Sequence, residues 1–305
     1  VPKIITLTLN PAVDKNTKFN GLVAEHKIRC EQPFYDAGGG GINVSKAINR
    51  LGGESTAFFP AGGPIGELLK TLVKKEGVAF EAVESKAWTR ENFIAVDTAN
   101  NAQYRFGMPS PELTEVEFEK LLEGIKIHKP EILVVSGSLP ENLASKIFSR
   151  ISQVFGADKP KIVVDTSGDG LRYALESEIF LIKPNHKELA ILLGSDKILP
   201  HHVEDSAKAL IKKYNCQIVV VSMGPDGAML FDKDSAHFVA APKVEKKSTV
   251  GAGDSMVGGL VWALSQNFPL SEVLKWGVAC GSAATMNEGT KLFKKRDAIK
   301  LFDSF

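Results

Sequence analysis

Thr249-Val-Gly-Ala-Gly-Asp254, followed by Ser255-Met-Val-Gly-Gly-Leu-Val-Trp-Ala-Leu264, reads as a glycine turn that opens directly into an apolar helix. Glycines at 251 and 253 let the backbone turn its N–H groups inward, and the helix start adds the positive end of its dipole. Such a turn suits an oxyanion or a phosphate. Asp254 stands where those N–H groups converge. A carboxylate there fits a general base that takes a proton from a substrate hydroxyl while the amides hold the developing charge, and it fits equally a plain helix cap.

Upstream of the turn, Gln217–Ser222 is a predicted strand, 223–227 a tight turn and 228–232 a returning strand, which gives the sheet an antiparallel edge. That tight turn suits a nucleotide, or is a hairpin turn and no more. Downstream, 273–286 is a predicted helix whose run Gly277-Val-Ala-Cys-Gly-Ser-Ala-Ala284 is small enough for a flat adenine ring to lie close, or for the helix to pack tightly. Further out, the strand 179–183 enters Pro184-Asn-His-Lys-Glu188. Asn185 and Glu188 there can hold a hydrated magnesium ion through water, or simply cap the helix. Strand 161–165 ends at Asp165, and strand 131–136 ends in Gly137-Ser138. Ser138 has no His and Asp arrangement to make it a nucleophile, and reads as a hydroxyl for a bound sugar or for its own turn.

In the N-terminal half, strand 3–9 stops at Asn10-Pro11, and Asp14 follows in the crevice outside the strand ends. Asp14 can accept hydrogen bonds from sugar hydroxyls, or is a solvated turn aspartate. Asp36-Ala-Gly-Gly-Gly-Gly41 leads into a helix that presents Ile42, Ala47, Ile48 and Leu51 at helical spacing and stops at glycine. Backbone contact with a ligand, with Asn43 aimed at the same ligand, is one reading; close packing on a strand is the other. Strands at 54–59 and 78–83 and helices at 66–76 and 115–127 complete an α/β, doubly wound, mainly parallel sheet flanked by helices. The alternation lapses at about 12–34 and 88–108, where extended pieces and a hairpin (92–98, 102–106) predict a small β-sheet lid. Phe19, Phe34, Phe93, Ile94 and Phe106 in it call for cover, which predicts a homodimer through the lid. With no linker or repeat, residues 1–305 read as one domain carrying that lid.

The 305 residues, 44% of them hydrophobic, allow a substantial core, and a formal net charge of +1 argues against nucleic acid or an anionic membrane as partner. No apolar run approaches the ~20 residues of a membrane span and no signal-peptide layout is visible, so a cytoplasmic protein is expected. Cys30, Cys216 and Cys280 read as reduced thiols, and the pair His201-His202 lacks partner ligands at metal-binding spacing.

Six pieces stand in one order along nearly the whole chain: Thr6-Leu-Thr-Leu-Asn-Pro-Ala-Val-Asp14, Gly38-Gly-Gly-Gly-Ile-Asn-Val44, Trp88-Thr-Arg-Glu-Asn92, Gln103-Tyr-Arg-Phe106, Lys183-Pro-Asn-His-Lys-Glu188 and Ser248-Thr-Val-Gly-Ala-Gly-Asp254. Together they resemble the ribokinase-like (PfkB) sugar kinases. The resemblance implies a ribokinase-like fold, ATP as phosphoryl donor, Asp254 as the base, and Gly251, Ala252 and Gly253 as the anion hole. It implies that Asn185 and Glu188 organise Mg2+, and that Lys183, Asn185, Ser222, Gly224, Gly227, Val278 and Ser282 lie along the nucleotide. Ser248, Val250, Ala284, Asn287 and Gly289 match positions that hold a monovalent cation, commonly K+; Lys291 stands where such chains often carry arginine. Sugar binding falls by the same likeness to Asp14, Gly39, Asn43, Arg90 and Ser138, with Lys27 reaching across a dimer.

Charge points to the kind of sugar. Lys27, Arg29, Arg90 and Arg105 in the lid suit a phosphate ester rather than a neutral sugar. Fructose 6-phosphate going to fructose 1,6-bisphosphate is the expected reaction; fructose 1-phosphate and tagatose 6-phosphate kinases share the pattern. A dinucleotide oxidoreductase fits poorly because the glycines do not follow the first strand directly. A sugar-phosphate-binding regulator without catalysis is the remaining alternative.

Overall fold

The apolar runs become strands buried on both faces. In β1 (Ile4–Leu7) Ile5 and Leu7 join one core while Ile4 joins another; in β8 (Ile132–Ser136) Leu133 and Val135 join the first, Ile132 and Val134 the second. Strands of that kind belong in a parallel sheet covered by helices on each side. The computed structural model describes residues 3–195, 197–199 and 202–305, so His201 lies outside the described residues.

The chain continues through β2 (Ala12–Phe19), β3 (Phe34–Gly38), α1 (Gly40–Leu51), β4 (Thr56–Ala61), α2 (Gly63–Lys75), β5 (Ala79–Glu84), β6 (Arg90–Asp97), β7 (Ala102–Phe106) and α3 (Glu115–Ile127) to β8. Beyond it come α4 (Ile147–Phe155), β9 (Lys161–Asp165), α5 (Asp169–Leu175), β10 (Ile179–Ile182), α6 (His186–Leu192), α7 (Val203–Lys213) and β11 (Cys216–Ser222). The last elements are β12 (Ala228–Phe231), β13 (Ala236–Val239), α8 (Ala252–Ser265), α9 (Leu270–Thr285) and α10 (Lys295–Phe302). The large sheet has the order β13-β12-β11-β10-β9-β8-β1-β4-β5, parallel from β11 to β5 and antiparallel at β12 and β13. It is the doubly wound sheet the sequence predicts, with one edge strand, β13, that the sequence reading omits. That reading also places no helix at α4, α5, α7 or α10.

One face of the sheet packs on α3, α4 and α7 around Leu121, Phe148, Ile151 and Leu210; the other packs on α1, α8 and α9 around Ile48, Leu260, Val261 and Leu274. The two predicted excursions pair as a second sheet, β3-β2-β6-β7, in which β2 and β6 run parallel and the outer pairs antiparallel. A third apolar cluster roots it: Val13 of β2 and Ala37 of β3 pack with Ile42, Phe59, Leu69 and Val73. Of the five lid residues predicted to need cover, Phe19 and Ile94 are already buried within the chain, whereas Phe34 and Phe106 stay exposed. Asp14 lies on β2, inside the lid sheet, and not in a loop after β1. Among the described residues no helix is long and apolar enough to cross a membrane.

Candidate active site

Gly251 caps α8 at a φ of 74°, a left-handed backbone that glycine adopts without strain. Ala252, Gly253 and Asp254 follow in the first helical turn, whose N–H groups have no partner within the helix. Asp254 is three residues inside the helix and makes no capping hydrogen bond, so the cap reading does not hold. Asn43, in the first turn of α1, donates from Nδ2 to Asp254 Oδ2 at 2.8 Å. One N–H of its amide therefore serves the carboxylate, and Oδ1 stays open to a ligand. Burial pushes the Asp254 carboxyl up to about 6; the charge of Asp165 adds to the rise, while the Asn43 hydrogen bond, Lys183 and Lys46 oppose it. A group so placed is ionised near neutrality and still able to take a proton.

The contact depends on how closely α1 meets α8. A Cβ at Gly258 would sit 2.4 Å from the Ala47 Cβ, so any side chain there drives the helices apart. Gly258→Val is expected to cost about 1–3 kcal/mol through overpacking. Thermal unfolding should show the loss, and kcat should drop with it as Asn43 is drawn away from Asp254; an unchanged melting temperature would count against the close approach.

Behind Asp254, at the C-terminal ends of β9 and β10, Lys183 Nζ pairs with Asp165 Oδ1 at 3.1 Å, both side chains well buried. Burial works to lower the Lys183 ammonium, but Asp165, Glu188 and Asp254 outweigh it and the net shift is upward. Asn185 caps α6, accepting from the N–H groups of Lys187 and Glu188, and Glu188 accepts in return from the Asn185 N–H at 2.8 Å. The helix-cap reading of this pair is thus realised. It engages one Glu188 oxygen, Oε2, and leaves Oε1 for a hydrated cation, a fit with magnesium reached through water. Burial raises the Glu188 carboxyl and Asp165 adds to it, against the Asn185 N–H and Lys183.

At the lid side, the Asp14 carboxylate is buried, accepts from Asn92 Nδ2 at 2.8 Å, and lies against Gly38, where a Cβ would be 2.8 Å from Oδ2. Burial raises its carboxyl, with Asn92, Lys46 and Arg90 opposing and Asp36 adding. Arg90 opens β6 and donates to Asn92 Oδ1, the Met108 carbonyl and the Asn10 carbonyl, while its buried Nε has no partner. Ser138 is exposed after β8 and accepts from Asn10 Nδ2 at 2.8 Å. Gly39 holds a φ of 126°, and Cβ atoms at Gly40 and Gly41 would meet Ser136 and Thr8 at 2.4 and 2.6 Å. Close packing on β1 and β8 accounts for glycine at 40 and 41. Lys27 is exposed in the loop between β2 and β3 and forms no ion pair among the described residues, so within one copy it is not brought to the site.

Of the predicted cation residues, Ser248, Val250 and Gly289 are joined by hydrogen bonds, and the Ser248 N–H donates to the Thr285 carbonyl beside Ala284. Ser248 Oγ donates to the Gly289 carbonyl at 2.9 Å, Val250 N–H donates to Ser248 Oγ at 3.2 Å, and Asn287 N–H donates to the Ala284 carbonyl at 3.2 Å. Neutral carbonyl and hydroxyl oxygens of this kind fit a monovalent cation. Lys291 Nζ lies 5.9 Å from the centre of the Phe34 ring.

A cleft of about 820 Å³ is lined by Asn185, Ser222, Met223, Gly224, Met229 and Phe238, among others. Gly224 and Gly227 both take positive φ, and a Cβ at Gly227 would lie 2.1 Å from the Val239 carbonyl. Two predicted nucleotide residues fare differently. Val278 is 1% exposed, packed in the core with α8, and offers a nucleotide no surface; Ser282 is partly accessible. The small residues of α9 serve packing: a Cβ at Gly277 would strike Leu260 at 2.7 Å. The sequence reading misses three features here: Asn92, the Asp165–Lys183 pairing, and Lys46, which is buried beneath the glycine turn and donates to the Ala37 carbonyl at 2.7 Å. A lysine four residues after Ile42, on the buried stripe of α1, is the available signal.

A model of the pfkB family carbohydrate kinases matches residues 5–296. The ATP-dependent 6-phosphofructokinase isozyme 2 of Escherichia coli (strain K12) is 42% identical over 302 residues, 98% of either chain. The 1-phosphofructokinase of Bacillus subtilis (strain 168) is 32% identical over 95% of either chain. Among solved structures, phosphofructokinase-2 from Escherichia coli in complex with potassium aligns with a TM-score of 0.95 at 42% identity, covering 100% of this chain and 99% of that one.

Proposed function

The chain belongs to the pfkB family of carbohydrate kinases, and from that membership we propose that it transfers the γ-phosphoryl group of ATP to fructose 6-phosphate, giving fructose 1,6-bisphosphate and ADP. The observation that carries the chemistry is the Asp254 carboxylate, oriented by Asn43 and poised at about 6 beside a glycine turn in which the Ala252 N–H makes a 3.4 Å bond to the Thr249 carbonyl and the Gly251 and Gly253 N–H groups face a ligand. The sugar hydroxyl oxygen forms a bond to the γ-phosphorus, the bond from that phosphorus to the ADP oxygen breaks, and the hydroxyl proton passes to Asp254. Amides of 251–253 hold the charge on the transferring group. Asp14 accepts from sugar hydroxyls, and the nucleotide lies along Asn185, Ser222, Gly224 and Gly227 with Lys183 toward its phosphates. Magnesium, when bound with the phosphates, neutralises their charge; Glu188 and Asn185 would hold it through water. A monovalent cation would rest on oxygens of Ser248, Val250, Ala284, Asn287 and Gly289.

Arg90 beside Asp14, and the exposed Lys27, Arg29 and Arg105 of the lid, which form no ion pair among the described residues, support a phosphate ester as acceptor. Steady-state rates on fructose 6-phosphate, fructose 1-phosphate and tagatose 6-phosphate at equal concentration test the assignment: fructose 6-phosphate should be fastest. The second reading is a 1-phosphofructokinase, favoured if fructose 1-phosphate leads. No turnover on any of the three would overturn both and leave the non-catalytic regulator.

The lid also supports a homodimer. Leu22, Val23, Phe34, Phe106 and Met108 are exposed on it or beside it, and Lys27 would complete a neighbouring site. Size-exclusion chromatography at micromolar concentration should give a dimer; a monomer would remove this part of the reading.

A further inference from the structure

The base of the lid is bonded to the loop that follows α9. Thr290 Oγ1 donates to Asp36 Oδ2 of β3, and Asn16 Nδ2 of β2 reaches Thr290 Oγ1 at 3.5 Å. Lys18 of β2 pairs with Glu288 at 3.5 Å, and Lys291 approaches the Phe34 ring of β3. Four consecutive loop residues, 288–291, thus meet two adjacent lid strands; a Cβ on Gly289 would lie 3.7 Å from Asn16 Oδ1 and 3.8 Å from Phe34. The same loop turns its other side to the glycine turn, through the Ser248 hydroxyl to the Gly289 carbonyl and the Val250 N–H to the Ser248 hydroxyl.

Asp36 is not an arbitrary point on the lid. It stands directly across the β2–β3 ladder from Asp14, which faces Asn92 on its other side. Two carboxylates side by side repel, and the Thr290 hydroxyl is the donor bonded to the second of them. We propose that Thr290 and Asp36 are positioning residues: their hydrogen bond fixes the strand that carries Asp14's neighbour to the loop behind the anion hole, and so sets the sugar end of the site against the phosphoryl-transfer end. The inference deepens the kinase reading and rests on it for its kinetic consequence. Without the bond, Asp36 is left partly buried beside Asp14 with no side-chain donor among the described residues, and the register of β2 on β3 loosens where the sugar must be held.

Four variants test it: Thr290→Val, Thr290→Ser, Asp36→Asn, and Thr290→Val with Asp36→Asn. A hydrogen bond to a charged group of this exposure corresponds to a rise of about tenfold in KM for fructose 6-phosphate in Thr290→Val, with KM for ATP within about twofold of wild type. Thr290→Ser should restore the wild-type value, and the double variant should be no worse than the more affected single one. An unchanged sugar KM in Thr290→Val, a parallel rise in both KM values, failure of serine to rescue, or additive losses in the double variant would each overturn the proposal. Amide hydrogen exchange on the ligand-free protein gives a second arm. In Thr290→Val, exchange in β2, β3 and 248–251 should quicken together by about tenfold, and an effect confined to 288–291 would sink the latch. A wild-type protein inactive on every ketohexose phosphate would refute the kinase reading alone, and the exchange arm would still decide the latch.

Discussion

Asp254→Asn is expected to lower kcat by about 10²–10⁴-fold while leaving both KM values within a few-fold of wild type, because the substitution keeps shape and the Asn43 contact and removes only proton acceptance. The pH dependence follows from the same group. A base must be deprotonated to act, so kcat/KM should fall as pH drops through about 6, and this acid limb should be absent from what activity the variant retains. The stability effect runs the other way. Asp254 moves from 3.8 to about 6 on folding, so the native state binds the proton more tightly and stability declines as pH rises across that window. Above it the folded protein carries the whole cost of a charged, desolvated carboxylate, up to roughly 3 kcal/mol. Asp254→Asn should therefore melt at a higher temperature than wild type at pH 7 and at a similar one near pH 4. A variant that keeps its turnover would leave Asp254 without the role of base, and one that melts lower at pH 7 would contradict the burial cost.

Much of the fold and of this site is legible in the amino-acid order alone. Local signals place the glycine turn, the strand ends and the lid hairpin, since strands buried on both faces and glycines at sharp turns leave marks within a few residues. Pairing across the chain leaves none. Asn43 precedes Asp254 by 211 positions, and only the tight seam between α1 and α8 reveals that its amide serves the carboxylate. Lys46 escapes notice because a lysine ordinarily reads as solvated, whereas here its stem runs along the buried face of α1 and its ammonium ends on a backbone carbonyl. Val278 fails for the opposite reason: a small-residue stripe suits a flat ring and a neighbouring helix equally, and α8 occupies that face. The missed strand β13 covers one edge of the sheet, and its alternation is too short, four residues, to stand out from a loop.

Lys183→Met should be nearly as damaging as loss of the base, and by a different route. Lys183 Nζ lies 3.1 Å from Asp165 with 7% of its side chain exposed, and its charge also reaches Glu188 and Asp254. Methionine fills the space but leaves Asp165, Glu188 and Asp254 without their shared cation, Lys46 acting on Asp254 alone of the three. Removing one partner of a buried pair costs about 3–5 kcal/mol, since the remaining charge keeps its desolvation penalty and loses its compensation. The folded Lys183 ammonium titrates above its ordinary 10.5, so its contribution is whole at neutral pH and fades only as pH climbs past that raised value. A melting curve at pH 7 should register the full loss. In the proposed reaction Lys183 stands toward the nucleotide phosphates; loss of a cation so placed should cost about 10²–10³-fold in kcat, and the triphosphate should bind more weakly while the sugar KM holds. The pH profile separates the electrostatic account from mere loosening of the fold. Lys183 is one of the groups that hold the Asp254 carboxyl down against burial and Asp165, so without it the acid limb of kcat/KM must move above 6. Asp165→Asn, which removes a charge that raises Asp254, must move the limb in the opposite direction. Two substitutions on one ion pair that shift the limb oppositely would place Lys183 and Asp165 in control of the base; a limb that stays at 6 in both would confine the pair to holding β9 and β10 together.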